Sequence, residues 1–356
     1  MHPPLTPCDR IQCIVPPHMV EAIKLRGDRK LKRMAARIEK EAEKFRQARQ
    51  GFTPPTPVMA VAPVPPGVKV KPERTVYDAE NRSRLPGKLV REEGDRKSKD
   101  TDVNRAYDGA GHTFKLYLGV YRRNSLDGNG MRLVSTVHYA RNYNNAFWDG
   151  QQMVYGDGDG IIFKPLTRSL TVIGHELSHG VVQFSGDLVY RDQPGALHES
   201  FADVFGCLTL QYKKKQTAAE ADWLVGNEIL GPDINGVALR SLKAPGTAYD
   251  DPLLGKDPQP YHMDGYVNTH SDNGGVHINS SIPNHAFYLM AQYLGGNAWE
   301  RAGQIWYDTV QSINNPHATF ADWADETVER ARDRYGAGSM EAILTRRSWK
   351  LVGIGL

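Results

Sequence analysis

His175-Glu176-Leu177-Ser178-His179, with Glu199 twenty residues past the second histidine, constrains this chain more than any other stretch. Residues four apart in an α-helix lie on one face, so both imidazoles can converge on a single ion. A carboxylate from a following helix completes three protein ligands, the set that a catalytic zinc uses while keeping one position open for water. Glu176 follows the first ligand and is rotated round the helix, within reach of a metal-bound water without coordinating the metal.

The surroundings support that reading. Thr171, Val172, Ile173, Leu177, Val181 and Val182 form an apolar helical stripe, and Gly174 keeps one position small beside the first histidine. A second amphipathic helix is predicted through Leu197 to Phe205, placing Glu199 and Asp203 four apart on one face. Asp203 is then placed to accept the outer ring N–H of His175, which fixes the tautomer that a metal needs. Read alone, Glu199 and Asp203 would be ordinary carboxylates of a solvated face; the paired histidines upstream decide otherwise.

Charge divides the chain unevenly. Residues 1–50 carry 12 Lys+Arg against 6 Asp+Glu, while the rest carry 32 against 35. A basic leader on an acidic body can dock electrostatically. No nucleic-acid partner is expected, because the basic stretch is interleaved with Glu39, Glu41 and Glu43 and has Phe45 as its one aromatic residue. No run has the length of a membrane span, and the first residues lack the charged and apolar regions of a secretory signal. Of three cysteines, Cys8 and Cys13 lie in the leader and Cys207 on the second metal helix; a Cys8–Cys13 bridge or a leader thiolate on the metal stays open, with unpaired cysteines favoured.

Four regions are expected: a helical leader at 1–50, a Pro-rich linker at 51–72, a strand-rich lobe at 73–190 including the metal helix, and a helical lobe at 191–356. Strands are predicted at 114–121 and 133–139. Helices are predicted at 17–49 and, after Gly160, at 169–184, 196–214, 277–294, 298–312, 320–335 and 339–351. The class is α+β. The Asp157-Gly158-Asp159-Gly160 run reads as a tight turn, since Arg168 stands where a calcium loop of the EF-hand type needs glutamate.

At these residues the chain resembles the thermolysin family of zinc endopeptidases. The match extends to Asn144-Asn145-Ala146-Phe147-Trp148, to Tyr155-Gly156-Asp157-Gly158-Asp159-Gly160 and to Asp272-Asn273-Gly274-Gly275-Val276-His277-Ile278-Asn279-Ser280. The leader, through Cys13-Ile14-Val15-Pro16-Pro17-His18-Met19, is similar to the short propeptides of the protealysin-like branch. The resemblance implies a two-lobed fold with the metal helix between the lobes, one zinc on His175, His179 and Glu199, and Glu176 as general base. It assigns Tyr190 and His277 as oxyanion donors, with Asp272 orienting His277. Asn145 and Ala146 would pair with a peptide backbone, and Arg240 would hold the carbonyl after the scissile bond. Phe163, Leu166, Val172 and Leu239 would form an apolar pocket on the leaving-group side, favouring large hydrophobic residues there. His198 stands where the family usually has an asparagine, and is expected to orient His179.

The resemblance thus implies a neutral endopeptidase made as a self-inhibited precursor, acting on peptides and proteins, with its own propeptide in the cleft. Pro16 and Pro17 are assigned the inhibitory contact, since proline lacks an N–H and resists alignment as substrate. The family's paired calcium site would fall at Thr171, Leu210 and Asn227, none of them anionic, so it is expected to be absent; calcium near Asp127, or near Glu93 and Asp95, stays open. Without a visible signal, cytoplasmic accumulation and non-classical secretion both stay open, and export is favoured by the resemblance alone. The alternative is an inactive zinc-binding module of the same fold, which would have no use for Glu176. A zinc aminopeptidase lacks its GxMEN signature here.

Overall fold

The computed structural model describes residues 12–49, 61–186 and 188–355. Cys8, and with it the possible Cys8–Cys13 bridge, and the side chain of Phe45 lie outside them. A six-stranded sheet has the order β1-β5-β6-β4-β2-β3, with β1 at Gln12–Cys13, β2 at Arg74–Asp78, β3 at Lys88–Glu92, β4 at Leu133–Val137, β5 at Ala146–Trp148 and β6 at Met153–Tyr155. The β2–β4 and β4–β6 pairs are parallel and the others antiparallel. Helix α3 (Thr101–Tyr121) packs on β2 and β4 and against α4 (Leu170–Gln183), which carries the histidine pair.

Helix α5 (Asp192–Lys214) lies along α4 and carries Glu199. Short ribbons come next, pairing β7 (Leu224–Val225) with β8 (Arg240–Ser241) and β9 (Asp250–Asp251) with β10 (Gly255–Lys256). Then come α6 (Asp272–Asn279), α7 (Ser281–Leu294), α8 (Arg301–Ser312), α9 (Phe320–Tyr335) and α10 (Met340–Leu351). Their shared core is aromatic: Trp306 stacks on Trp349 at 5.5 Å and lies edge-on to Phe287.

Two expectations change. The predicted strand at 114–121 is the last part of α3, begun by Asp100, whose carboxylate caps the Asp102 and Val103 amides. Phe114, Tyr117 and Tyr121 are buried with the three- and four-residue spacing of a helix face, a period that the glycines around them obscure. The region after Gly160 is not wholly helical either, since four short strands separate α5 from α6.

The leader is two helices, α1 (Pro17–Arg26) and α2 (Arg29–Arg49), rather than one. The break falls at Gly27 and Asp28, whose carboxylate accepts from the Leu31 amide as α2 begins. Ile14, Val15, Met19, Val20, Ile23, Ala35 and Ile38 are buried in the common core cluster. The described docking contacts are mostly apolar, with most of the basic residues turned outward, because a buried charge must be paired to be tolerated. From Val61 the linker is largely exposed, but Val64 is pinned to Arg122 by backbone and guanidinium hydrogen bonds.

His138 joins α3 to the turn after β6. Its ring contacts Asp100 and Asp157, each at 2.8 Å, and hydrogen bonding to Asp157 outweighs burial and, with Asp100, raises its pKa to about 9. A raised folded-state value stabilises the fold fully below about pH 6.5 and loses that contribution as pH rises through 9. The Tm difference between wild type and His138→Gln is therefore expected to be largest near pH 6 and to shrink by about pH 9.5. A constant difference across that window, measured by thermal unfolding, would contradict the clamp.

Candidate active site

Helices α4 and α5 come into contact through glycine. A Cβ on Gly206 would lie 2.5 Å from the Thr171 carbonyl oxygen, and one on Gly174 would lie 3.1 Å from the Gly206 Cα. That proximity brings Glu199 to the histidine face of α4. The Nε2 atoms of His175 and His179 are 3.0 Å apart, and each lies 3.5 Å from an oxygen of Glu199. All three side chains are fully buried.

The outer atoms are held in turn. His175 Nδ1 lies 2.8 Å from Asp203 Oδ1, and His179 Nδ1 lies 3.0 Å from His198 Nδ1. Donation to Asp203 leaves the Nε2 lone pair of His175 facing inward. Asp203 also takes a two-pronged contact from Arg240 at 2.8–3.1 Å and a hydrogen bond from Asn284 Nδ2 at 2.9 Å. Although burial opposes its charge, Arg240 and His175 hold Asp203 well below the usual carboxylate range.

Three inward-facing donor groups at 3.0–3.5 Å fit one ion of zinc size, whose bonds to such ligands are about 2.0–2.2 Å. Glu199 Oε2 has no hydrogen-bond partner among the described residues, which suits a ligand oxygen. Burial, then the neighbouring imidazoles, push the His179 pKa well below its ordinary value, keeping it in the neutral form that binds metal. Among the described residues, these three form the one cluster of three or more His, Cys, Asp or Glu side chains able to share an ion.

Glu176 lies beside this cluster. Its Oε2 accepts from the Trp148 amide at 2.9 Å, and burial followed by the Glu199 charge pushes its pKa well up. Opposite, the His277 ring contacts Asp272 Oδ1 at 2.6 Å, and its backbone N–H donates to Asp272 Oδ2. Against the cost of burial, Asp272 and Glu199 raise His277 to about 9. The Tyr190 hydroxyl donates to Glu199 Oε1 and lies 3.4 Å from His277 Nε2.

The leader occupies the cleft between these groups. Strand β1 pairs antiparallel with β5, with Cys13 opposite Phe147. His277 Nε2 donates to the Cys13 carbonyl at 3.0 Å, and the Ile14 amide donates to the Ala146 carbonyl at 3.2 Å. Arg240 Nη1 donates to the Ile14 carbonyl, and the Val15 amide to Asn145 Oδ1, both at 3.0 Å. Ile14 is buried in the same apolar cluster as Phe163, Leu166, Val172 and Leu239. Pro16 and Pro17 lie just beyond these contacts: Pro16 is buried at the N-cap of α1, and Pro17, exposed, opens the helix.

The polar grip on the leader therefore falls on Cys13, Ile14 and Val15, the residues of the propeptide-like stretch that precede the two prolines. Sequence reasoning also passes over Gln259, which donates to the His277 carbonyl at 2.7 Å, and Asn284. Asn284 has a legible signal, as an amide in the largely apolar first half of α7; Gln259 has none. At the positions aligned with the paired calcium site, Thr171 Oγ1 accepts from the Gly226 amide, Leu210 packs against the core, and Asn227 donates to Asp222. Asp127 and Asp95 accept from nearby backbone amides, and Glu93 pairs with Arg74.

Comparison with known proteins gives a consistent result. The thermolysin metallopeptidase catalytic domain matches residues 69–183, and the thermolysin metallopeptidase alpha-helical domain matches residues 186–354. An extracellular metalloprotease of Pectobacterium carotovorum subsp. carotovorum is 51% identical over 79% of this chain and 81% of its own length. Protease PrtS of Photorhabdus sp. (strain Az29) is 52% identical over 79% of this chain and 76% of its own. The precursor of protealysin, a metalloproteinase from Serratia proteamaculans, superposes with a TM-score of 0.84 at 44% identity, covering 97% of this chain and 100% of that one. With both of its lobes matched and its histidine pair meeting Glu199 across α4 and α5, the chain belongs to the thermolysin family of metallopeptidases.

Proposed function

We propose that this chain is the self-inhibited precursor of a zinc endopeptidase that cuts peptides and proteins before large hydrophobic residues. The observation that carries the reading is the leader strand paired to β5 beside His175, His179, Glu199 and Glu176. Region boundaries at 1–50, 51–72, 73–190 and 191–356 belong to the proposal, with the two matched domains meeting between 183 and 186 in support. So does the absence of the paired calcium site, for want of carboxylates at Thr171, Leu210 and Asn227. Export is proposed from the relatives described as extracellular. Among the described residues no helix is long and apolar enough to cross a membrane.

Bound zinc supplies a polarising charge and lowers the pKa of a water to about 7. Glu176, held by the Trp148 amide beside the three candidate ligands, is placed to take a proton from an attacking water and pass it to the leaving nitrogen. His277 is a cation when it donates through both ring nitrogens, to Asp272 and to the reacting carbonyl. Tyr190 stands beside it, and its hydroxyl, which here donates to Glu199, would turn to serve as a second donor. Arg240, fixed by Asp203, holds the next carbonyl, while Asn145 and Ala146 hold the backbone as an added strand. Discrimination in the apolar pocket is worth roughly 1–3 kcal/mol per methylene, so specificity is broad.

Three outcomes are expected. His179→Ala should lose the bound zinc found by metal analysis of wild type, and full occupancy in that variant would contradict the ligand set. Glu176→Gln should keep zinc and fold while casein hydrolysis falls roughly 10²–10⁴-fold. His277→Ala should retain weaker activity, the loss being about 2.7–4 kcal/mol of transition-state stabilisation. A near wild-type casein rate in metal-loaded Glu176→Gln would rule out its role as base.

Maturation gives the last outcome. The linker is where cutting concentrates, so incubated wild type should lose roughly 50–75 residues while Glu176→Ala stays full length. A linker-blocked precursor with full peptidase rate would overturn the inhibitory reading.

A further inference from the structure

The leader meets the site as an extended strand, and its Cys13 and Ile14 carbonyls are held by His277 and Arg240 in turn. The Cys13 carbonyl receives the His277 Nε2 proton at 3.0 Å, the contact assigned to a developing oxyanion. The nitrogen of the same peptide unit, that of Ile14, donates to Ala146, and its N–H is among the dipoles acting on the Glu176 carboxylate. Arg240 holds the next carbonyl along, and the residue after the bond is a buried isoleucine. A cleft of ≈ 620 Å³ lined by Cys13, Val15, Asn145, Tyr190, Asp272 and His277 remains beside the strand.

We propose that Cys13–Ile14 is a self-cleavage site: the precursor hydrolyses this bond within its own cleft, and the cut leader stays bound. This rests on the endopeptidase reading above. The reaction consumes one water, whose oxygen becomes part of the Cys13 carboxylate. The C–N bond breaks, and the Ile14 nitrogen leaves as an amine after receiving a proton from Glu176. Cutting does not free the cleft, because everything from Ile14 onward keeps its anchors. Ile14 and Val15 remain held by Arg240 and Asn145, and α1 and α2 remain packed in the core. The nick therefore precedes activation, and activation needs the linker cut as well.

The test uses the full chain. Metal-loaded wild type and Glu176→Gln are incubated and followed by intact mass and N-terminal sequencing, with casein hydrolysis measured in the same samples. Expected are a new N-terminus at Ile14 in wild type alone, fragments that sum to the precursor plus one water, and a rate independent of protein concentration. Ile14→Asp should slow this cut about 10-fold or more, because it puts a charge at a fully buried position. A separate readout needs no metal: in the metal-free chain, amide hydrogen exchange at Ile14 and Val15 should be strongly slowed. Exchange there at free-peptide rates would overturn the register. Casein hydrolysis without an Ile14 terminus, or a cut whose rate rises with concentration, would overturn the proposal alone. Failure to cut either casein or the leader would overturn the endopeptidase reading with it.

Discussion

The close contact of α4 and α5 is the constraint on which the rest depends. Two histidines on one helix and a glutamate on the next become a single site only where the backbones nearly touch, and Gly174 and Gly206 permit that. The site is fully buried, so its groups feel each other strongly and an unpaired charge there is costly. Asp203 answers that demand by joining His175, Arg240 and Asn284 in one network. The orientation of the His175 ring and the position of the Arg240 guanidinium are thereby set by the same carboxylate.

Strand addition is the second theme. Strand β5 would be the sheet edge if β1 did not cover it, and an uncovered edge is a template for any extended peptide. The leader takes that edge with backbone hydrogen bonds to β5. Its helices then add apolar burial that a short peptide lacks. A tethered segment occupies the cleft at high effective concentration, so modest contacts suffice while the linker is intact. Loss of the tether removes that advantage.

Much of this is legible in the sequence, for identifiable reasons. The spacing of His175, His179, Glu199 and Asp203 follows helix geometry, which survives in any context. The resemblance carries the more distant groups, such as His277 and Arg240, which no local pattern joins to the metal helix. Helix α3 escapes a sequence reading because its glycines and aromatic residues imitate a strand-and-turn pattern, although Gly109 in fact admits Ile173 of α4. Gly206 escapes it because a helical glycine announces close packing only once its neighbour is known. The leader's register is hidden for a related reason. Pro16 and Pro17 stand out in sequence, whereas the contacts made by Cys13, Ile14 and Val15 are largely backbone contacts, which any residues can make.

The central claim is that a zinc site and the leader share one cleft. Anomalous X-ray scattering at the zinc edge, from crystals of the zinc-loaded Glu176→Gln precursor, tests it most directly. The account predicts one peak about 2.0–2.2 Å from His175 Nε2, His179 Nε2 and a Glu199 oxygen, with β1 still paired to β5 and the Cys13 carbonyl facing His277. A zinc peak elsewhere, or an occupied metal site with the leader strand gone from β5, would contradict it.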